Sequence, residues 1–385
     1  MTSVYFDHAA TTPVDPHVLE EMLPFFSASY GNPSELHRLG REARVAVERA
    51  RSQVAAGLGA GEKEIVFTAG GTEAYNLALI GYLQRFEPGH FIIGAIEHPA
   101  VMEPARALNR LGWAVDFIPV DGEGVIDVDA YERAFRDDTR LASVMHANNV
   151  VGTIQPIAEL VRIAHEKGAV FHTDAVQAVG SVPIDVAALG VDMLSLSGHK
   201  IYGPKGVGAL YVKRGTRITP LLHGGGQERR LRSGTENVPG IVGLGAAMEL
   251  AQAQMAAVRP RLEALRDHLV RGVIESVPDV RFLGHRTERL PGNVAFTVRY
   301  IDGESMLLQL DTHGFMVSSG SACASGSLEP SHVILALGLG AEEAHGSLRL
   351  SLGRENTREE ADAFIEVFPP IVEKLRQMSP LYVKG

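Results

Sequence analysis

"MLSLSGHKIYGPKGVGALYV", Met193 to Val212, decides how the chain is read. Met193 to Gly198 and Gly208 to Val212 are β-prone runs, and the glycine-rich stretch between them carries Lys200. In open α/β sheets ligands gather at the carboxyl ends of strands. A lysine just beyond an apolar strand, flanked by Ser197 and His199, can form a Schiff base with an aldehyde cofactor. Loop lysines are more often merely solvated, so Lys200 needs support from elsewhere in the chain. A nucleotide-binding loop does not fit the stretch, because Pro204 stands where that motif requires lysine.

Outward from this stretch, five more β-prone runs appear: "EIVFTA" (Glu64 to Ala69), "HFIIGAI" (His90 to Ile96), "AVDFIPV" (Ala114 to Val120), "LASVMHA" (Leu141 to Ala147) and "AVFHTDA" (Ala169 to Ala175). They alternate with amphipathic helical stretches, which predicts an α/β fold with a mainly parallel seven-stranded sheet covered by helices. After Pro239 a run rich in Ala, Leu, Met and Gln reads as helix to about Val277. "GNVAFTV", "SMLLQLDTHG", "VILALG" and "SLRLSLG" then predict a smaller α+β unit.

The chain has 385 residues, 45% hydrophobic and 21% charged, a balance that places it among soluble globular proteins of about two or three units. Lys+Arg 36 against Asp+Glu 46 gives a net charge of -10, which argues against a basic field for nucleic acid or anionic membrane. Arg229, Arg230 and Arg232 form the one local basic group that stands out. A single cysteine excludes an intramolecular disulfide and any zinc site built on two thiolates, and it suits a reducing compartment. "MTSVYFDHAATTP" has neither a basic n-region nor an apolar h-region, and no segment reaches the roughly 18 consecutive apolar residues of a membrane span. The expected location is cytoplasmic. The histidines form no ligand-spaced cluster, and "HEKG" at His165 is not a zinc motif, so no metal is assigned.

The other strand ends supply the company Lys200 needs. "HTDAVQAVG" offers Asp174 and Gln177, and a buried carboxylate facing a lysine-bound pyridoxal ring would keep the ring nitrogen protonated. An aspartate there is equally compatible with a helix N-cap. "TAGGTEAYN" follows a strand and enters a helix, so the amides near Gly70, Gly71 and Thr72 can cradle a phosphate, or simply make a turn. "IEHPA" sets His98 before a helix-starting proline, where it can stack on a ring and move protons, or only cap. In "SLRLSLG", alternation puts Leu348, Leu350 and Leu352 on one face and Arg349 and Ser351 on the other. Arg349 is thereby suited to a substrate carboxylate, or to an exposed sheet edge.

Taken together these stretches are identified as those of the cysteine desulfurases, fold-type I pyridoxal phosphate-dependent transferases of the class V aminotransferase superfamily. The resemblance also rests on "VYFDHAATTPVDP", "YGNPSELHRLG", "EHPAV", "GGGQERRLRSGTENV", "SSGSACASGSLEPSH" and "SLRLSLGRENT". It implies a large cofactor domain over 14–257 and a small domain over 1–13 and 258–385, the latter carrying a catalytic cysteine loop at about 318–332. The implied cofactor is pyridoxal 5'-phosphate. Lys200 resembles its Schiff-base lysine, Asp174 the partner of the pyridine nitrogen, Gln177 the neighbour of the phenolic oxygen and His98 the stacking histidine. Gly71, Thr72, Ser197 and His199 resemble the phosphate site, and Thr235 the threonine that reaches the phosphate from the other subunit of a homodimer. Asn149 and Arg349 resemble the holders of the substrate carboxylate.

Cys323 resembles the nucleophile that takes sulfur from L-cysteine, leaving L-alanine and a persulfide. The wording of its loop is similar to the branch with a long mobile cysteine loop, which implies a sulfur-acceptor protein as partner, an iron-sulfur scaffold or a carrier for tRNA thiolation. Direct nucleic acid and membrane contacts are not implied. Tyr75 stands where the family commonly has asparagine, and Val150 follows "ANN" where glutamate is frequent. The sequence given ends with "SPLYVKG", and the resemblance does not extend to the longer tail on which some relatives dock a scaffold. The rival readings are a selenocysteine lyase or another class V enzyme, and a non-catalytic sulfur-transfer scaffold. Cys323 argues against the first, and Lys200, Asp174, Gln177 and Arg349 together argue against the second.

Overall fold

Short runs rich in Val, Ile, Leu and Phe that are buried along most of their length suit strands covered on both faces, the edge run Ala114–Ile118 being the half-exposed exception. The computed structural model, which describes residues 3–320, 330–380 and 382, forms them into one seven-stranded sheet. After the short β1 (Val4–Tyr5), its strands are β2 (Ile65–Thr68), β3 (His90–Gly94), β4 (Ala114–Ile118), β5 (Thr139–Ser143), β6 (Val170–Asp174), β7 (Met193–Ser197) and β8 (Gly208–Val212). Their order is β2-β8-β7-β6-β5-β3-β4. Only β8 runs against its neighbours. The carboxyl ends of β2, β3, β5, β6 and β7 therefore all open on the same edge of the sheet.

All seven expected strands are present, several of them shorter than the β-prone runs that announce them. The run Leu141 to Ala147 yields a strand ending at Ser143, although the Val144 and His146 amides still donate to the His172 and Asp174 carbonyls at 3.2 and 2.8 Å and the His146 carbonyl accepts from the Gln155 amide.

The helices follow from equally local causes. Arg38–Leu58 begins where the His37 ring accepts from the Gly40 amide and ends where Gly59 turns left-handed at φ 67°. Its Ala43, Ala46, Val47, Ala50, Val54 and Leu58 fall at i+3 and i+4 spacing and are buried. They belong to the same core as Val238, Ile241, Leu244 and Met248 of the helix Val238–Ser276.

That long helix crosses the expected 257/258 boundary without a break. Its later turns, with Leu262, Leu265, Leu269 and Val273, enter a second core together with Val4, Phe6, Phe296, Leu348 and Phe364. This second core lies against β9 (Val280–Phe282), β10 (Asn293–Val298) and β12 (Ser347–Ser351), an antiparallel sheet ordered β12-β10-β9. β11 (Phe315–Met316) pairs in parallel with β1, returning the first residues of the chain to this unit. One 18-residue stretch of Val238–Ser276 is apolar enough to cross a membrane, a feature the count of consecutive apolar residues did not register. In the fold its Ile241 to Met248 segment is buried in the first core.

Candidate active site

Five strand ends converge on a cavity of about 380 Å³. Gly71, Thr72, His98, Asn149, Asp174, Gln177, Ser197, His199, Lys200 and Arg349 all line it, joined by Ala9, Ala10, Tyr75, Met145 and Val176. Of the residues singled out in the sequence, Thr235 does not line it; it is exposed on a turn. Cys323 lies outside the described residues.

Lys200 sits in a single 3-10 turn directly after β7. Its Nζ donates to the carbonyl of Ala9 and, at 2.6 Å, to that of Ala10. Gln177 Nε2 donates to the Ala9 carbonyl as well, at 2.9 Å. The N-terminal segment is thus part of the site, held there by Thr12, whose amide and hydroxyl both donate to the His199 carbonyl at 2.9 and 3.0 Å.

Asp174, at the end of β6, is buried, and its Oδ1 accepts from the Val176 amide at 2.9 Å. Burial pushes its carboxyl up to about 6, against the opposing pull of that amide, of a hydrogen bond from Tyr75 and of the nearby Lys200 charge. Tyr75 is itself buried between ring neighbours, with the His98 and His172 rings each 6.3 Å away, and its own acidity is suppressed by burial and by Asp174.

His98 caps the helix Pro99–Arg110, its Nδ1 accepting from the Ala100 amide at 3.0 Å. Burial first, then the charges of Lys200 and His332, lowers its pKa to about 4, so the ring is neutral near pH 7. With Nδ1 an acceptor, the proton resides on Nε2. His199 is lowered to about 4 by burial and by Lys200 and Lys205.

Two residues after β2 stands Gly70, whose φ of 146° is open to glycine alone, and the following helix Gly71–Leu83 has no side-chain cap on its first amides. Free amides at a helix N-terminus, with the Thr72 and Ser197 hydroxyls on the same cavity, are a donor set for a phosphate.

Across the cavity Arg349, on β12, is buried. Its Nη2 donates to Asp7 Oδ1 at 2.7 Å and its Nη1 to the Asn149 carbonyl at 3.1 Å, while its Nε is buried with no partner. That unused N–H suits a carboxylate. Asp7, Ala9 and Ala10 contribute to the site without having been singled out in the sequence, where no local pattern pairs residues so far apart along the chain. No group of three or more metal-ligating side chains occurs among the described residues.

Residues 4–364 match the model of the aminotransferase class-V family. A curated relative, the cysteine desulfurase IscS of Dictyoglomus turgidum, is 51% identical over 98% of this chain and 96% of its own length. Among solved structures, a NifS-like protein superposes with a TM-score of 0.92 at 40% identity, covering 97% of this chain and 100% of that one. Another, described as SspA in complex with cysteine, superposes with a TM-score of 0.80 at 38% identity, covering 92% of this chain and 100% of that one.

Proposed function

The chain belongs to the aminotransferase class-V family, and from that premise we infer the reaction of its site: it is a cysteine desulfurase, an enzyme that takes sulfur from L-cysteine and leaves L-alanine. The observation that carries the reading is the gathering of Lys200, Asp174, His98, Asn149 and Arg349 from separate segments onto one cavity.

The cofactor this reaction calls for is pyridoxal 5'-phosphate, and the residues present fit it. The uncapped amides after Gly70, with Thr72, Ser197 and His199, suit its phosphate. Asp174 suits its ring nitrogen, Gln177 its phenolic oxygen, His98 its ring face and Lys200 its aldehyde. When bound, pyridoxal phosphate supplies the electron sink that makes the Cα–H bond of an amino acid acidic.

The chain's own groups do the rest. Arg349 and Asn149 hold the substrate carboxylate, which fixes the direction of the Cα–H bond. Lys200 accepts the Cα proton at Nζ. The neutral His98 caps the helix through Nδ1 and carries its proton on Nε2, so it can give and recover a proton at the substrate without first losing a charge. The Cys323 thiol takes the substrate sulfur, so that L-cysteine and a thiol become L-alanine and a persulfide with no external oxidant or reductant. The persulfide then passes sulfur to an acceptor protein, an iron-sulfur scaffold or a carrier for tRNA thiolation.

A homodimer completes this reading. Thr235 is exposed and absent from its own chain's cavity, and Leu19, Leu23, Phe26, Tyr30 and Leu36 stand exposed near the N-terminus, as residues awaiting a second copy do.

The test is Cys323→Ala in the cofactor-loaded protein. It is expected to abolish sulfide release from L-cysteine and to leave the near-visible cofactor band unchanged. Full retained activity would sink the mechanism, and a wild-type protein showing no borohydride-sensitive band with pyridoxal phosphate would sink the cofactor.

A further inference from the structure

Asn149 lies in a turn whose backbone is held from the opposite side of the cavity to an unusual degree. Four successive carbonyls are engaged by the unit that carries β10 and β12. The Asn149 carbonyl accepts from Arg349 Nη1 at 3.1 Å, that of Val150 from Asn293 Nδ2 at 3.2 Å, that of Val151 from Arg289 Nη2 at 3.1 Å, and that of Gly152 from the Leu290 amide at 2.9 Å. The amides of Val150 and Val151 are taken up on the other side by Asn148 Oδ1, at 2.8 and 2.9 Å. The turn has little freedom left.

Arg289 is the centre of this arrangement. It is 2% exposed and makes no ion pair among the described residues. Its charge is spent on carbonyl oxygens instead: Leu283, His285, Val151 and Asn293 all accept from it, as does Asn293 Oδ1 at 3.0 Å. Its Nε is buried with no partner, so both terminal nitrogens need their acceptors in fixed places, because each acceptor lost leaves a further buried donor unpaired. Gly152 shows how close the fit is: at φ 80°, a Cβ there would stand 2.6 Å from Asn293 Oδ1.

We propose that Arg289 and Asn293 are positioning residues for substrate binding, fixing the Asn149 turn so that Asn149 and Arg349 meet the substrate carboxylate together. The proposal rests on the desulfurase reading, which makes that carboxylate the anchor of the substrate.

The test compares steady-state kinetics of the cofactor-loaded wild type with Arg289→Lys, Arg289→Met and Asn293→Asp. Lysine offers a point charge in place of a planar fork and reaches fewer of the carbonyls. Asn293→Asp keeps the volume and an oxygen for Arg289, which can pair with the new carboxylate, and it replaces the donor to the Val150 carbonyl with an oxygen, so it remains informative if Arg289→Met does not fold.

A rise in KM for L-cysteine of about tenfold is expected in Asn293→Asp, and more in Arg289→Met, with kcat and the cofactor band changed less than about twofold. Arg289→Lys should fall between wild type and Arg289→Met. Amide hydrogen exchange in the segment 148–152 should quicken in the same order. A folded Asn293→Asp with unchanged KM overturns the proposal, as does a fall in kcat that merely tracks lost cofactor. A cofactor-loaded wild type that releases no sulfide overturns the desulfurase reading itself, and this inference with it.

Discussion

Asp174 is a carboxyl group on which opposing effects meet. Burial drives it up, and the Val176 amide, the Tyr75 hydroxyl and the Lys200 charge draw it down, leaving it at about 6 against an ordinary 3.8. Because the folded value is the higher one, the folded protein binds this proton more tightly than the unfolded chain. The stability it contributes to the cofactor-free protein is full below 3.8 and is lost as pH rises through about 6. Tyr75→Phe removes a donor that favours the charged form, so Asp174 should move further up, by about one pH unit or less. Urea unfolding of cofactor-free wild type and variant across this range checks it; superimposable stability–pH curves would contradict the contact. Tyr75 was legible in the sequence only as a departure from the family pattern. What it does depends on Asp174, which the fold brings beside it from a different strand end, and no local spacing encodes that meeting.

Among the elements, the turn before Thr235 is the most strained. Glu228, Arg229 and Arg230 follow one another at φ 43°, 55° and 68°, a left-handed run that costs about 1–2 kcal/mol per residue without glycine. It persists because Glu228 is locked in place. Arg51 grips its carboxylate with two bonds of 2.7 and 2.9 Å, the Phe67 amide donates to it at 2.8 Å, and both charged side chains are buried. The turn leads into Arg232, which pairs with Glu73 in the first turn of the helix Gly71–Leu83 at 2.9 Å. Arg51→Met leaves a buried carboxylate unpaired and should cost about 3–5 kcal/mol in thermal unfolding, with faster loss of cofactor from the folded protein. Adding Glu228→Gln should return part of the stability and little of the cofactor retention, because the charge penalty goes but the Arg51–Glu228 lock is not restored. Equal recovery of both would refute the link between turn and site. Of this, only the basic run was visible beforehand. The seven strands were legible because burial on both faces demands continuous apolar runs. The reversal of β8 was not, since the same apolar composition serves either direction. What does imply it is the length of the connection after β7, too short for the crossover that a parallel neighbour requires, a signal that composition alone passes over.

At the scale of the whole molecule, the site is a seam. Lys200, Asp174 and His98 come from the ends of the seven-stranded sheet, Arg349 from β12, and the carbonyl partners of Lys200 from the first residues of the chain, which pair with β11. Ten of the fifteen residues lining the cavity were legible, because polar residues ending apolar strands mark the open edge of such a sheet. Asp7 and the Ala9 and Ala10 carbonyls were not, because they arrive only when the chain's beginning returns to its end. Thr235 takes the argument one step further, since it is the one expected phosphate ligand among the described residues that its own chain leaves outside the cavity. If it serves a second copy, each active site draws on two chains, and two inactive variants must rescue each other. Lys200→Ala spoils the site in its own chain but can lend Thr235; Thr235→Ala spoils its partner's site but keeps Lys200. Mixing and re-associating the two in equal amounts should restore about a quarter of the sites, those in which intact Lys200 faces intact Thr235, as pairing statistics for a two-fold dimer require. Sulfide release from L-cysteine measures it. If Thr235 instead acted within its own chain, every site in the mixture would lack one residue or the other, and mixing would add nothing to the sum of the two variants alone.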